Sequence, residues 1–282
     1  MSSELESSNL FSVAGKVAVL TGASGFLGRT FARTLLANGA RVVALGRSER
    51  LQREAEVWAR EFGTGSISIY RVDMYDIAAL SQILDRIAAE EKSIDILVNN
   101  AHELGPGTGF NIPEGSLDNA TMDTWMRNLT GGVYWAALTT QRLGAQMKKQ
   151  GSGSIINIST MYALVAPRPQ LYAGTEFINP PGYSASKAAL LSFTRYVASF
   201  WGMHGIRANA ILPGPFSNTE DIEGANTVEP SNPFLQRLRD NTCLGRTGRP
   251  HDLAGALLFL ASNASSFMTG QAITIDGGWT AV

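Results

Sequence analysis

The chain has 282 residues, a length that suits one large α/β domain. With 44% hydrophobic and 17% charged residues it has enough apolar side chains for a full core, and a net charge of −1 directs no global field at nucleic acid or a membrane surface. The single cysteine, Cys243, excludes an internal disulfide, fits a reducing compartment and reads as structural.

No run approaches the roughly 18 consecutive apolar residues of a membrane helix. The first residues, Met1–Leu10, lack the basic start and apolar stretch of a secretory signal. These features predict a cytoplasmic protein with neither a membrane nor a nucleic-acid partner. Residues 1–12 read as a loose arm, and residues 13–282 as one domain.

Beyond the arm, short β-branched runs alternate with helical patterns. Strands are predicted at Lys16–Leu20, Arg41–Leu45, Ser66–Val72, Asp95–Val98, Ser154–Ile158, Arg207–Ile211 and Ala272–Ile275. Between them, Ile77, Leu80, Ile83, Leu84 and Ile87 make one apolar helical stripe, and Leu253, Ala256, Leu257 and Leu260 make another. Strands alternating with helices predict a doubly wound, seven-stranded parallel sheet flanked by helices, which binds ligands at the carboxyl ends of its strands. Two stretches break the alternation. Residues 166–181 carry four prolines without a period and read as an inserted loop; residues from about 215 to 241 begin polar and irregular and read as a substrate lid.

After the first strand comes Thr21-Gly22-Ala23-Ser24-Gly25-Phe26-Leu27-Gly28, and Phe31, Leu35 and Leu36 then begin a helical stripe. A strand, a tight glycine turn and a helix form a cradle for a pyrophosphate. Glycine lets the backbone come close, and the helix N-terminus offers free N–H groups. The second strand ends Gly46-Arg47-Ser48, with Arg47 where an acidic residue would mark NAD. Arg47 therefore favours NADP(H) through its 2′-phosphate, while Glu49 nearby keeps NAD(H) open and leaves a solvated helix-start arginine as the alternative.

Tyr183-Ser184-Ala185-Ser186-Lys187 opens a predicted helix, and a spacing of four puts Tyr183 and Lys187 on one face. A free phenol titrates near pH 10, too high for proton transfer near neutrality. An adjacent ammonium favours the phenolate.

Taken in chain order, the glycine turn, Asp73 after strand three, Asn99-Asn100-Ala101 after strand four, Asn128, Ser159-Thr160, Tyr183 with Lys187, Pro213-Gly214 and the closing Asp276-Gly277-Gly278 resemble the short-chain dehydrogenase/reductase family in its single-domain branch. The resemblance spans about Gly15 to Trp279 and implies a Rossmann-type fold and hydride transfer between a nicotinamide cofactor and a carbonyl or alcohol. It implies Tyr183 as acid/base, Lys187 on the nicotinamide ribose, Asn128 in a proton relay, and a serine-type hydroxyl on the substrate oxygen. That hydroxyl aligns with Thr160, Ser159 being the other candidate. The cofactor would lie along Gly22, Ser24, Gly25, Phe26, Leu27 and Gly28, pass Arg47, Asp73, Met74, Asn100 and Ala101, and end at Tyr183, Lys187, Pro213, Gly214 and Phe216. A homotetramer is also implied, and bulky Trp125, Trp135, Phe193 and Phe200 on the predicted interface helices fit self-association. No metal is expected.

The chain departs from the family pattern in places. Phe26 stands where the middle glycine is usual, with Gly25 one place earlier, as in the epimerase-like branch. His102 follows Asn-Asn-Ala where glycine is common, and reads as a substrate contact or a polar filler. Tyr183 lies farther beyond Thr160 than is usual, because of the inserted loop.

With Arg168, Tyr172 and Glu176 in that loop, and His102 and Tyr162 nearby, the pocket is expected to be polar, with His102, Tyr162 and Glu176 as substrate contacts. A sugar-like or polyol substrate follows, and the chain is also similar to bacterial surface-sugar, flagellin-modification and gluconate-dehydrogenase members of the family. Rival readings are a 3-oxoacyl-thioester (acyl carrier protein) reductase; an epimerase or dehydratase, though no composition shift marks the second domain those usually carry; and a non-catalytic dinucleotide sensor, which would not need both Tyr183 and Lys187.

Overall fold

The computed structural model describes residues 6–216 and 232–282. β1 (Val17–Thr21) is buried along its whole length, as a parallel strand covered on both faces must be. Beside it lie β2 (Arg41–Gly46), β3 (Ile67–Arg71), β4 (Ile96–Asn99), β5 (Gly153–Ile158), β6 (Ile206–Pro213) and β7 (Ala272–Ile275). Among the described residues they form one seven-stranded sheet in the order β3-β2-β1-β4-β5-β6-β7, with every neighbouring pair parallel. The predicted strands are all present, within one or two residues at most ends.

The helices are α1 (Ser7–Leu10), α2 (Phe26–Ala37), α3 (Arg50–Phe62), α4 (Ile77–Glu90), α5 (Met122–Leu129), α6 (Trp135–Gln150), α7 (Pro169–Tyr172), α8 (Pro181–Trp201), α9 (Pro233–Asp240) and α10 (Ala254–Ala261). Strand side chains alternate between the two sheet faces. Ala18 and Leu20 pack with Phe31 and Leu35 of α2 and Leu257 and Leu260 of α10. Val17 and Val19 pack on the other face with Leu80 and Leu84 of α4 and Leu143 of α6. Local chemistry starts the helices where they start. Asp76 accepts from the Ala79 N–H at 2.9 Å ahead of α4, and Thr121 and Thr124 cap α5 reciprocally. Pro181 stands in the first turn of α8, where its missing N–H costs nothing.

The inserted loop 166–181 contains α7, and its last residue opens α8. It is also tied down, because Arg237 of α9 donates to the carbonyls of Leu171 and Ala173 at 3.0 and 2.6 Å. Phe177 stacks on Phe234, with ring centroids 4.3 Å apart. The expected loose arm is helical over α1, and Phe11 lies against Phe259 at 6.3 Å. Of the expected lid, residues 217–231 lie outside the described residues, and α9 forms most of its remainder. Of the four bulky aromatics, Trp135 is buried, Trp125 and Phe193 are half-buried, and Phe200 is exposed and stacked on Tyr196.

Candidate active site

A cavity of about 560 Å³ opens at the carboxyl ends of the strands, where the strand order turns outward from β1 to both sides. The glycine turn makes its floor. Gly22 has a left-handed φ of 66°, and a Cβ there would stand 2.9 Å from the Ala101 Cα. A Cβ on Gly28 would stand 2.1 Å from the Gly22 carbonyl oxygen, so only glycine lets α2 begin this close to β1. Gly25 caps α2 without a side chain, leaving the first-turn N–H groups uncapped where Phe26, Leu27 and Gly28 line the cavity. Gly25, one place earlier than the family norm, therefore still leaves an open helix N-terminus. Asn100 locks the floor to β4: its amide donates to the carbonyls of Thr21 and Gly22, both at 3.1 Å, and the Asn100 and Ala101 N–H groups reach Thr21 Oγ1 at 3.0 Å.

At one end the cavity is lined by Ser24, Arg47, Asp73 and Met74. Ser24 Oγ and Ser48 Oγ lie 3.1 Å apart, and Asp73 accepts from the Tyr75 N–H at 3.0 Å. Arg47 reaches Glu103 at 3.3 Å, and Glu103 also accepts from Arg127 and from the Tyr75 hydroxyl, both at 2.8 Å. Burial pushes the Glu103 carboxyl up, but the bonds from Arg127 and Tyr75 and the charges of Arg127 and Arg47 outweigh it and leave it below the usual carboxylate range. This carboxylate, which the sequence reading did not single out, is the ion-pair partner of Arg47.

At the other end, Thr160, Tyr183 and Lys187 line the cavity together with Pro213, Gly214 and Phe216. The two hydroxyl candidates are separated by their bonding. Ser159 Oγ donates to the Lys187 carbonyl at 3.0 Å. Thr160 instead faces the Tyr183 phenol. Burial pushes that phenol up to about 12, with the Thr160 hydrogen bond acting the other way. Burial also pulls the Lys187 ammonium down to about 7. Lys187 donates to the Ile158 carbonyl at 2.9 Å, and among the described residues no anion neutralises it.

The remaining predicted residues divide. His102 lines the cavity with its ring edge on the Tyr183 ring, centroids 5.1 Å apart. Asn128 is buried behind it. Tyr162 bonds the Tyr172 hydroxyl at 3.2 Å and lines a neighbouring groove with Asn179 and Ser184. Glu176 does not join the site. It is exposed and lines neither cavity, because the loop turns its aromatic side, Tyr172 and Phe177, onto Phe234 of α9. Arg168 likewise serves the C-terminus, bonding Asn241 at 2.7 Å and the Val282 carbonyl at 3.2 Å. Phe110 went unnoticed in the sequence, yet it packs on the Tyr183 ring at 5.2 Å. The signal for it lies only in the length of the loop after Asn99-Asn100-Ala101.

A buried ammonium with protons to spare, an open helix N-terminus and a guanidinium thus follow one another along a single cavity. That donor set can hold a dinucleotide: ribose hydroxyls, a pyrophosphate and the adenosine end in turn.

The comparisons with known proteins agree. A family model described as enoyl-(acyl carrier protein) reductase matches residues 22–280. The chain is 33% identical over 274 residues to a 2-dehydro-3-deoxy-D-gluconate 5-dehydrogenase of Dickeya dadantii, covering 97% of this chain and 98% of that protein. It is 30% identical to a galactitol 2-dehydrogenase (L-tagatose-forming) of Cereibacter sphaeroides, covering 96% and 97%. It superposes with a TM-score of 0.79 on the crystal structure of a gluconate 5-dehydrogenase from Burkholderia cenocepacia in complex with NADP and tartrate, at 28% identity over 98% and 99% of the two chains. The chain belongs to the short-chain dehydrogenase/reductase family. It is a nicotinamide-dinucleotide-dependent oxidoreductase that interconverts a ketone and a secondary alcohol.

Proposed function

We propose that this enzyme reduces a polyhydroxylated ketone, or oxidises the matching sugar-like alcohol, with NADP(H) as the favoured cofactor. The observation that carries the substrate class is that the relatives matched over almost their whole length include proteins named gluconate and galactitol dehydrogenases. The tyrosine hydroxyls of Tyr162 and Tyr172 and the Asn179 amide beside the catalytic end support it, since each can pair with a substrate hydroxyl.

In this reading a bound nicotinamide would supply the hydride for reduction. Tyr183, held as a neutral phenol near neutrality, gives its proton to the developing alkoxide, and the Thr160 hydroxyl donates to the same oxygen. Lys187 binds the ribose hydroxyls with its spare protons, and its charge favours the phenolate left behind. Pro213, Gly214 and Phe216 close the far wall. The uncapped N-terminus of α2, from Gly25 to Gly28, takes the pyrophosphate, while Ser24, Asp73, Met74, Asn100 and Ala101 frame the adenosine half and the turn that holds it.

The test is kcat/KM with NADPH for a 5-keto sugar acid, a ketohexose and a 3-oxoacyl thioester. The polyhydroxylated ketones are expected to be turned over at least about tenfold better than the thioester. Preferential reduction of the thioester overturns the substrate class.

Cofactor preference rests on Arg47. Its partner Glu103 is already held by Arg127 and Tyr75, so Arg47 can leave it for a 2′-phosphate at little cost. Replacing Arg47 with Ala is expected to weaken NADPH by about ten- to a hundredfold and to leave NADH nearly unchanged, because only the former has the phosphate to pair with. An unchanged ratio of kcat/KM for the two cofactors excludes the assignment.

A further inference from the structure

We infer that His102 is a positioning residue of the acid–base centre: its imidazole, anchored on the Asn128 amide, holds the Tyr183 ring together with Phe110. This rests on the reading of Tyr183 as the acid/base.

Four observations carry it. The first is the bonding of Asn128. Its amide nitrogen donates to the Thr108 carbonyl at 2.7 Å and to the Thr124 carbonyl at 2.8 Å. Both amide protons are thereby used, and a flipped amide would set oxygen against two carbonyls. Among the described residues the Asn128 Oδ1 is buried without a hydrogen-bond partner, as are both nitrogens of the neighbouring imidazole. A buried acceptor without a donor is costly, so the imidazole N–H belongs there.

The second is the clamp on the phenol ring. His102 meets it edge-on at 5.1 Å and 62°, and Phe110 at 5.2 Å and 76°. Both are favourable aromatic geometries.

The third is the backbone packed against the imidazole. Between α5 and α6 the chain forms one π-helical turn, Thr130–Tyr134, a feature often found at functional sites. Its Gly131 and Gly132 present no side chain: added Cβ atoms would stand 3.5 Å from the His102 Nδ1 and Cε1 respectively, and the one on Gly132 only 2.1 Å from Ser186 Oγ of α8.

The fourth is the charge state. Burial and then the Lys187 charge hold the imidazole well below its ordinary range, while the Gly131 backbone and Asn128 act the other way. The ring is therefore neutral near neutrality, with one N–H, for which the Gly131 backbone and the Asn128 Oδ1 are the neighbouring acceptors. Lys187 and Tyr183 face it from α8, Asn128 and Gly131 from α5 and the π-turn, and no carboxylate is among them.

The test compares His102→Phe, His102→Gln and His102→Gly for kcat, KM and NADPH affinity by fluorescence. His102→Phe keeps a ring but leaves the Asn128 Oδ1 unpaired. It is expected to lose about tenfold or more in kcat, the scale of a misplaced catalytic group, with NADPH Kd within about twofold of wild type. Added imidazole is expected to restore kcat in His102→Gly, and to do so better at pH 8 than at pH 6, because the neutral base fits the site. Should His102→Gly fail to fold, His102→Gln, which retains an N–H, is expected to keep more kcat than His102→Phe. Wild-type kcat in His102→Phe, or the reverse order of the Phe and Gln variants, overturns the inference. Tyr183→Phe run alongside separates the two readings: if it turns over normally, the acid/base assignment fails whatever His102 does.

Discussion

Tyr183→Phe is expected to lower kcat by at least about a hundredfold, roughly 2.7 kcal/mol of barrier, and to leave NADPH Kd within about twofold. The phenol has a single polar atom, and that atom faces Thr160 at the catalytic end of the cavity. The ring itself is held by His102 and Phe110, so phenylalanine fits the same slot and the fold is undisturbed. Only the proton is lost. Thr160 can still donate to the substrate oxygen but cannot be left as an alkoxide near neutrality, so it does not substitute. Measuring kcat and NADPH Kd on one preparation checks this, and turnover within about threefold of wild type contradicts it.

Lys187→Met is expected to raise the stability of the ligand-free protein at pH 6 while abolishing most of its activity. The ammonium is buried with no anion beside it among the described residues, and burial lowers its pKa from 10.5 to about 7. The folded pKa thus lies below the unfolded one. Between about pH 7 and 10.5 the unfolded chain binds more protons, so stability rises with pH across that window. The cost of the buried charge is complete below pH 7 and gone above 10.5, and a shift of this size corresponds to roughly 5 kcal/mol at most. Methionine removes that cost and loses one hydrogen bond to the Ile158 carbonyl, worth about 1 kcal/mol. A gain of a few degrees in Tm at pH 6, shrinking by pH 10, is the expected result. A variant less stable than wild type at pH 6, or a difference independent of pH, contradicts it. The expected gain would mark the site as one where stability is given up for function.

Much of this was legible in the sequence, for a physical reason. Strands such as Val17–Thr21, the turn Gly22–Gly28 and the pair Tyr183 and Lys187 are local patterns, fixed by side-chain period, backbone freedom and helix spacing. What failed depends on how separate loops meet. Glu176 was expected in the pocket because its loop joins the two catalytic segments, but the loop's direction is set by Arg237 and Phe234, some sixty residues away. Phe110 and Glu103 reach the site from a long loop with no period of its own. The Gly131-Gly132 pair inside a helical pattern did carry a signal, since two adjacent glycines there are unfavourable unless something packs against them. Here Ser186 and His102 do.

The central claim is hydride transfer to a hydroxylated ketone in this cavity. The most direct measurement uses NADPH carrying deuterium on the transferable position of the nicotinamide, a 5-keto sugar acid as acceptor, and NMR of the product. Deuterium on the new carbinol carbon, accumulating in step with NADPH consumed and at least about a hundredfold more slowly with Tyr183→Phe, is the predicted result. NADPH that binds but delivers no deuterium to any polyhydroxylated ketone would contradict it.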